Sequence, residues 1–166
     1  MIILKFFQNE KALIIGYGSA GKNHSNSLKK LSFETHIYSR RRLKHHKFFP
    51  SLDEAISSLN PNYIVVANET SEHLQTLKEL EKCKANKILV EKPLFHKTRF
   101  NFKAKSNKVY VGYNLRFHPL LLKLKKELEG KKVISIEINV GSYLPDWRRL
   151  QNYKQNYSTT LQKGGG

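Results

Sequence analysis

Cysteine is nearly absent from this chain. Cys83 is the one copy, which excludes an internal disulfide and any cysteine-based metal cluster and fits a reducing, cytoplasmic setting. Acidic residues are scarce as well, 13 Asp and Glu against 30 Lys and Arg, for a formal charge of +17. Long apolar runs are missing too. The start MIILKFFQNE turns polar within its own length, too short for a signal-peptide core with its flanks, and no later run reaches membrane-spanning length. No membrane partner is expected. Internal repeats and low-complexity linkers are also lacking. What is present suffices for a core: 39% of the 166 residues are hydrophobic, with nine Phe and eight Tyr. That allows one well-buried domain with a fragment left over.

The charge raises nucleic acid as a partner, because a strongly positive field draws polyanions. The lysines, however, are scattered along the whole chain. The one dense basic run, SRRRLKHHK at 39–47, lacks the interleaved aromatics of a base-stacking platform. A charge of +17 by itself gives weak, sequence-blind binding that salt weakens. No specific nucleic-acid partner is expected.

The pattern of the chain alternates. KALIIG (11–16), ETHIYS (34–39), NYIVVAN (62–68), NKILVEKP (86–93) and KVYVGYN (108–114) read as strands. Between them, residues 21–31, DEAISSL (53–59) and SEHLQTLKELEKCK (71–84) read as helices, with Ser51 or Asp53 and then Ser71 placed as caps. HPLLLKLKKELEG (118–130) follows as a helix with Pro119 in its first turn, and KKVISIEINVGSY (131–143) as a further strand. Regular alternation over 11–114 predicts right-handed crossovers and a doubly wound parallel α/β sheet of the Rossmann type, with helices on both faces.

LIIGYGSAGKNH (13–24) is where chemistry enters. Its glycines are spaced GxGxxG directly after the first strand and at the start of the first helix. Gly16 allows the tight turn, Gly18 lets backbone approach a pyrophosphate, and Gly21 lets helix and strand pack closely. The N–H groups of the helix start supply partial positive charge. Gly16, Tyr17, Gly18, Ser19, Ala20 and Gly21 are therefore predicted to contact a dinucleotide. At the end of the second strand, where an acid usually accepts ribose hydroxyls, stand Ser39, Arg40 and Arg41. Arginine pairs a 2′-phosphate bidentately and serine can donate to it, so NADP is the expected cofactor, with NAD as the alternative. No metal is expected: His45, His46 and His118 lack acidic partners at ligand spacing. His24 and His73, lone histidines at helix starts, read as structural.

Three further stretches, VVANETSEH (65–73), VEKPLF (90–95) and VGYNLRFHP (111–119), end the third, fourth and fifth strands. With the glycine loop, in this order and spacing, they resemble the Gfo/Idh/MocA-type oxidoreductases, the family of glucose–fructose oxidoreductase and inositol 2-dehydrogenase. The tripeptide Glu91-Lys92-Pro93 is the most specific element, and GSYLPDWR (141–148) looks like the entry to the second domain of members acting on surface-glycan sugars. The resemblance implies hydride transfer with a sugar or nucleotide-sugar hydroxyl. It implies that Ala67, Asn68, Thr70 and His73 border the cofactor, together with Glu91, Lys92 and Pro93. Lys92 would be catalytic, its ammonium on the reacting hydroxyl and its pKa lowered by burial. Asn114 and Arg116 would border the substrate. Glu69 stands where the family commonly has proline.

The resemblance divides the chain into a dinucleotide-binding domain over 1–117 and, over 118–166, the fragment that starts a truncated α+β substrate domain. The family's second domain supplies an Asp/His pair, and no histidine follows His118. The expected partners are thus a second copy or the missing half, and the 166-residue chain alone is expected to show no turnover. A catalytically inactive cofactor-binding remnant is the competing reading.

Overall fold

Five short apolar stretches build one parallel sheet. The computed structural model describes residues 10–83, 87–98 and 102–141, with 143, 159, 160 and 162. The strands are β1 (Lys11–Ile15), β2 (Glu34–Tyr38), β3 (Tyr63–Val66), β4 (Lys87–Val90) and β5 (Lys108–Val111), in the order β2-β1-β3-β4-β5. All four pairings are parallel. Helices α1 (Ser19–Lys30), α2 (Leu52–Leu59) and α3 (His73–Leu80) make the crossovers, and α4 (Pro119–Leu128) follows the sheet. This is the doubly wound α/β architecture expected from the alternation.

Period-two alternation inside each strand sorts the side chains to two faces. Leu13, Ile15, Ile64, Val66, Ile88 and Val90 pack against α2 and α3 through Leu52, Ala55, Leu59, Leu77 and Leu80. On the other face Ala12, Ile14, Ile37 and Val65 pack against Leu28 of α1 and Phe33. Nearly all are fully buried, each Val, Leu, Ile or Phe among them contributing roughly 1.5–3 kcal/mol through removal from water. Two-sided burial is why the strands read as continuous apolar runs. Ser51 caps α2 by accepting from the Glu54 amide at 3.1 Å, and Asn60 closes it in the left-handed conformation before Pro61.

Three sequence expectations change. The first helix starts at Ser19 rather than residue 21, so the glycine motif overlaps its first turn. The helix expected at 71–84 divides into a 3₁₀ turn, Thr70–Glu72, and α3, and Ser71 makes no cap. Its start is drawn tight by the Asn68 amide donating to Thr76 Oγ1 at 2.9 Å, a local contact that propensity does not carry. The strand expected at 131–143 has no strand partner among the described residues. Ile134, Ile136, Ile138 and Val140 are 71–93% exposed there, because alternation makes a strand only where a neighbour completes the ladder. No described helix is long and apolar enough to cross a membrane. The segments 1–9 and 144–158 and the final glycines lie outside the described residues.

Candidate active site

The glycine turn sits at the carboxyl end of β1, which lies between β2 and β3 in the sheet. Gly16 has φ +91°, and its N–H donates to the Tyr38 carbonyl at 2.9 Å. A Cβ there would stand 2.6 Å from both the Ala67 oxygen and the Asn68 nitrogen, so the turn is pressed onto the end of β3. A Cβ on Gly21 would overlap the Gly16 carbonyl oxygen. Both glycines are required by packing within the protein itself. Gly18 differs: it is extended, and a Cβ there would meet nothing within 4 Å.

The start of α1 has no side-chain cap and no acidic residue in its first turn. It therefore offers N–H groups and partial positive charge toward the open space at Gly18. At the adjacent end of β3, Asn68 Oδ1 is buried without a hydrogen-bond partner among the described residues. An uncapped helix start, room at Gly18 and an unused buried acceptor fit a dinucleotide pyrophosphate with its flanking riboses. The Tyr17 ring stands edge-on to His46 at 5.1 Å with the Lys22 ammonium 5.8 Å from its centre.

The basic run after β2 is engaged with other parts of the protein. Ser39 Oγ accepts from the Arg41 amide at 3.2 Å, and Arg42 lies 4.9 Å over the Phe48 ring. Arg40 Nη1 is paired with Glu72 Oε1 at 2.8 Å. Of the two arginines expected to await a 2′-phosphate, Arg40 and Arg41, Arg40 thus already faces a carboxylate.

His73 takes a different place from the cofactor contact that the resemblance implies. It is 1% exposed, with Nδ1 3.1 and 3.2 Å from the Pro93 and Leu94 carbonyls and Nε2 3.3 Å from the Asn68 carbonyl. The ring ties the end of β3 to the segment after β4. Thr70 is also buried. Burial holds the His73 pKa below the ordinary imidazole value, although the surrounding carbonyls favour the charged form. The unfolded chain therefore takes up a proton that the native state resists. Stability is complete above about pH 6.5 and falls as pH drops below it, with a slope approaching about 1.4 kcal/mol per pH unit. Urea melts between about pH 7 and pH 5.5 should show this loss, flattened in His73→Asn; equal slopes in the two proteins would contradict it.

Glu91 ends β4, and His24 Nε2 reaches its Oε1 at 2.7 Å. Through α1 this bond ties the Glu-Lys-Pro tripeptide to the glycine turn. The Glu91 pKa is lowered, first by the His24 hydrogen bond, against burial, then by the His24 charge and by the Lys92 amide and ammonium. Lys92 is exposed, so the burial expected around its ammonium is not supplied by the described residues. Pro93 follows it, and its carbonyl is one of those facing His73. Beside β4, the Gly112 amide donates to the Val90 carbonyl at 2.7 Å. Asn114 and Arg116 lie just beyond, in the 3₁₀ turn Asn114–Phe117, both exposed, with Arg116 over Phe117. The fold thus gathers residues from the ends of β1, β3, β4 and β5 along one edge. His24 and Glu72 are the members that sequence reasoning passed over. His24 lies about one turn beyond Gly21 on α1; nothing local marks Glu72.

No protein-family model and no curated protein matches this sequence. Solved structures do. The WlbA dehydrogenase from Thermus thermophilus, solved with NAD and UDP-GlcNAcA, matches with a TM-score of 0.60 at 20% identity over 75% of this chain and 48% of its own. The WlbA dehydrogenase from Chromobacterium violaceum, with NADH and UDP-GlcNAcA, gives 0.61 at 17% over 75% and 41%. The chain shares their fold. These neighbours are nucleotide-sugar dehydrogenases of the Gfo/Idh/MocA type, the family that the motifs resemble. The chain spans about half the length of these dehydrogenases. A Rex-family repressor, RSP, matches in its β-NADH complex with a TM-score of 0.54 at 13% over 74% and 62%. The fold is therefore shared by an enzyme class and a repressor, and residues at the site must separate them.

Proposed function

We propose that this chain is the cofactor-binding part of a nucleotide-sugar dehydrogenase of the Gfo/Idh/MocA type, with residues 1–117 as the dinucleotide-binding domain and 118–166 beginning a substrate domain. The observation that carries the reading is the open space at Gly18 above an uncapped helix start, joined by the His24–Glu91 bond to the Glu-Lys-Pro edge. NAD is the proposed cofactor, supported by the complexes of the neighbours and by the engagement of Arg40 with Glu72.

Bound NAD supplies the hydride acceptor. The N–H groups at the start of α1 hold the pyrophosphate, and Asn68 Oδ1 accepts from a ribose hydroxyl. Lys92 would direct its ammonium to the oxygen of the reacting sugar hydroxyl, where negative charge grows as that hydroxyl gives its proton to a base, the carbon passing its hydride to the nicotinamide. Glu91, kept anionic by His24, holds a counter-charge beside that ammonium. Asn114 and Arg116 stand at the substrate end of the same edge.

The test is a titration with NADH at physiological salt, followed by nicotinamide emission and repeated with single-stranded DNA as competitor. The expected result is saturable binding with a Kd on the order of micromolar that DNA does not displace. Absence of saturable binding, or displacement by DNA as counterions compete, would overturn the reading.

A further inference from the structure

The acid missing from the end of β2 is supplied from another segment. The residues after Tyr38 are Ser39 and three arginines, so the strand itself offers no carboxylate to the adenosine ribose. Glu72 closes the 3₁₀ turn that follows β3. Its Oε1 stands 2.8 Å from Arg40 Nη1, and its Oε2 lies 3.4 Å from Asn68 Nδ2, which donates to it. β2 and β3 flank β1 in the sheet. An ion pair between the segments that follow them therefore joins the two sides of the β1 end, and its Arg40 partner belongs to the β2 side, where the adenosine half of a dinucleotide lies in this fold. The Glu72 side chain is 33% exposed and that of Arg40 68%. The carboxylate is the anchored partner and the guanidinium the movable one.

We propose that Glu72 determines which dinucleotide the chain accepts. Its carboxylate takes over the ribose-hydroxyl acceptor role that β2 lacks, favouring NAD. It also excludes NADP in two ways: its charge opposes a 2′-phosphate, and it occupies the arginine that would pair with one. Arg40 in turn orients the carboxylate. The pair converts a basic strand end, which by itself suits a phosphate, into a site for an unphosphorylated ribose. This inference rests on the cofactor reading above and adds to it the residue that sets specificity.

The experiment measures Kd for NADH and NADPH on wild type, Glu72→Gln, Arg40→Ala and the double variant, with circular dichroism confirming each fold. Wild type should prefer NADH. Glu72→Gln keeps an oxygen for Asn68 but removes the charge and frees Arg40, so the Kd ratio should move toward NADPH by about tenfold or more. Arg40→Ala should leave NADH preferred, and adding it to Glu72→Gln should cancel the gain for NADPH. An unchanged ratio in Glu72→Gln or a gain for NADPH in Arg40→Ala would overturn the proposal while leaving the cofactor reading intact; a wild type that prefers NADPH would overturn the proposal and the choice of NAD, leaving only dinucleotide binding. A wild type that binds neither dinucleotide would overturn both.

Discussion

Valine at position 18 is expected to abolish dinucleotide binding and leave the protein folded. Gly18 lies in extended backbone that any residue adopts, and a Cβ there meets no protein atom within 4 Å. The native state loses only the better of two helix-capping residues, a cost of about 1 kcal/mol at most. The added branched side chain instead fills the space above the first turn of α1. A pyrophosphate excluded from those N–H groups loses its charge-assisted bonds, so NADH affinity should fall at least about a hundredfold, or roughly 2.7 kcal/mol. Titration beside a urea melt checks both halves. Wild-type affinity in Gly18→Val would mean that the loop is only a turn.

Alanine at position 21 should do the reverse. The methyl group would overlap the Gly16 carbonyl oxygen and stand 3.4 Å from Ile14 Cγ2. Neither neighbour is a flexible side-chain tip: the oxygen belongs to a turn locked against Ala67 and Asn68. α1 must lift from β1 to make room, loosening the packing of Leu28 and Phe33 on Ile14 and Ile37. Overpacking of this kind costs about 3 kcal/mol, a large part of a domain's stability of roughly 5–15 kcal/mol. A denaturation midpoint unchanged in Gly21→Ala would contradict the packing described here. Two glycines three residues apart thus separate binding from folding.

What could be read from the sequence was what is local. Apolar runs such as LIIG and YIVV carry the strands because two-sided burial leaves no alternation to interpret. The glycine spacing marks the turn because its steric needs lie within a few residues. The unread features join distant segments. The Arg40–Glu72 pair connects the ends of two different strands, and a run of arginines viewed without Glu72 reads as a phosphate site. The His24–Glu91 bond likewise crosses 67 positions, so His24 looked like a solitary structural histidine. His73 reads as structural from its place at a helix start while the resemblance puts it beside the cofactor; tertiary packing buries it among three carbonyls. The segment at 131–143 shows the opposite error: its β-branched residues read as a strand although they alternate less cleanly, and no described neighbour completes a ladder.

The placement of the nicotinamide dinucleotide across the carboxyl edge of the sheet is tested most directly by amide nuclear magnetic resonance during NADH titration. The account predicts saturable shifts at Gly18, Ser19, Ala20 and Asn68, then at Lys92 and Asn114, with α4 unmoved beyond Leu122. Shifts confined to the basic loop at 40–47, or none at millimolar NADH, a concentration about a thousandfold above the expected Kd, would contradict it.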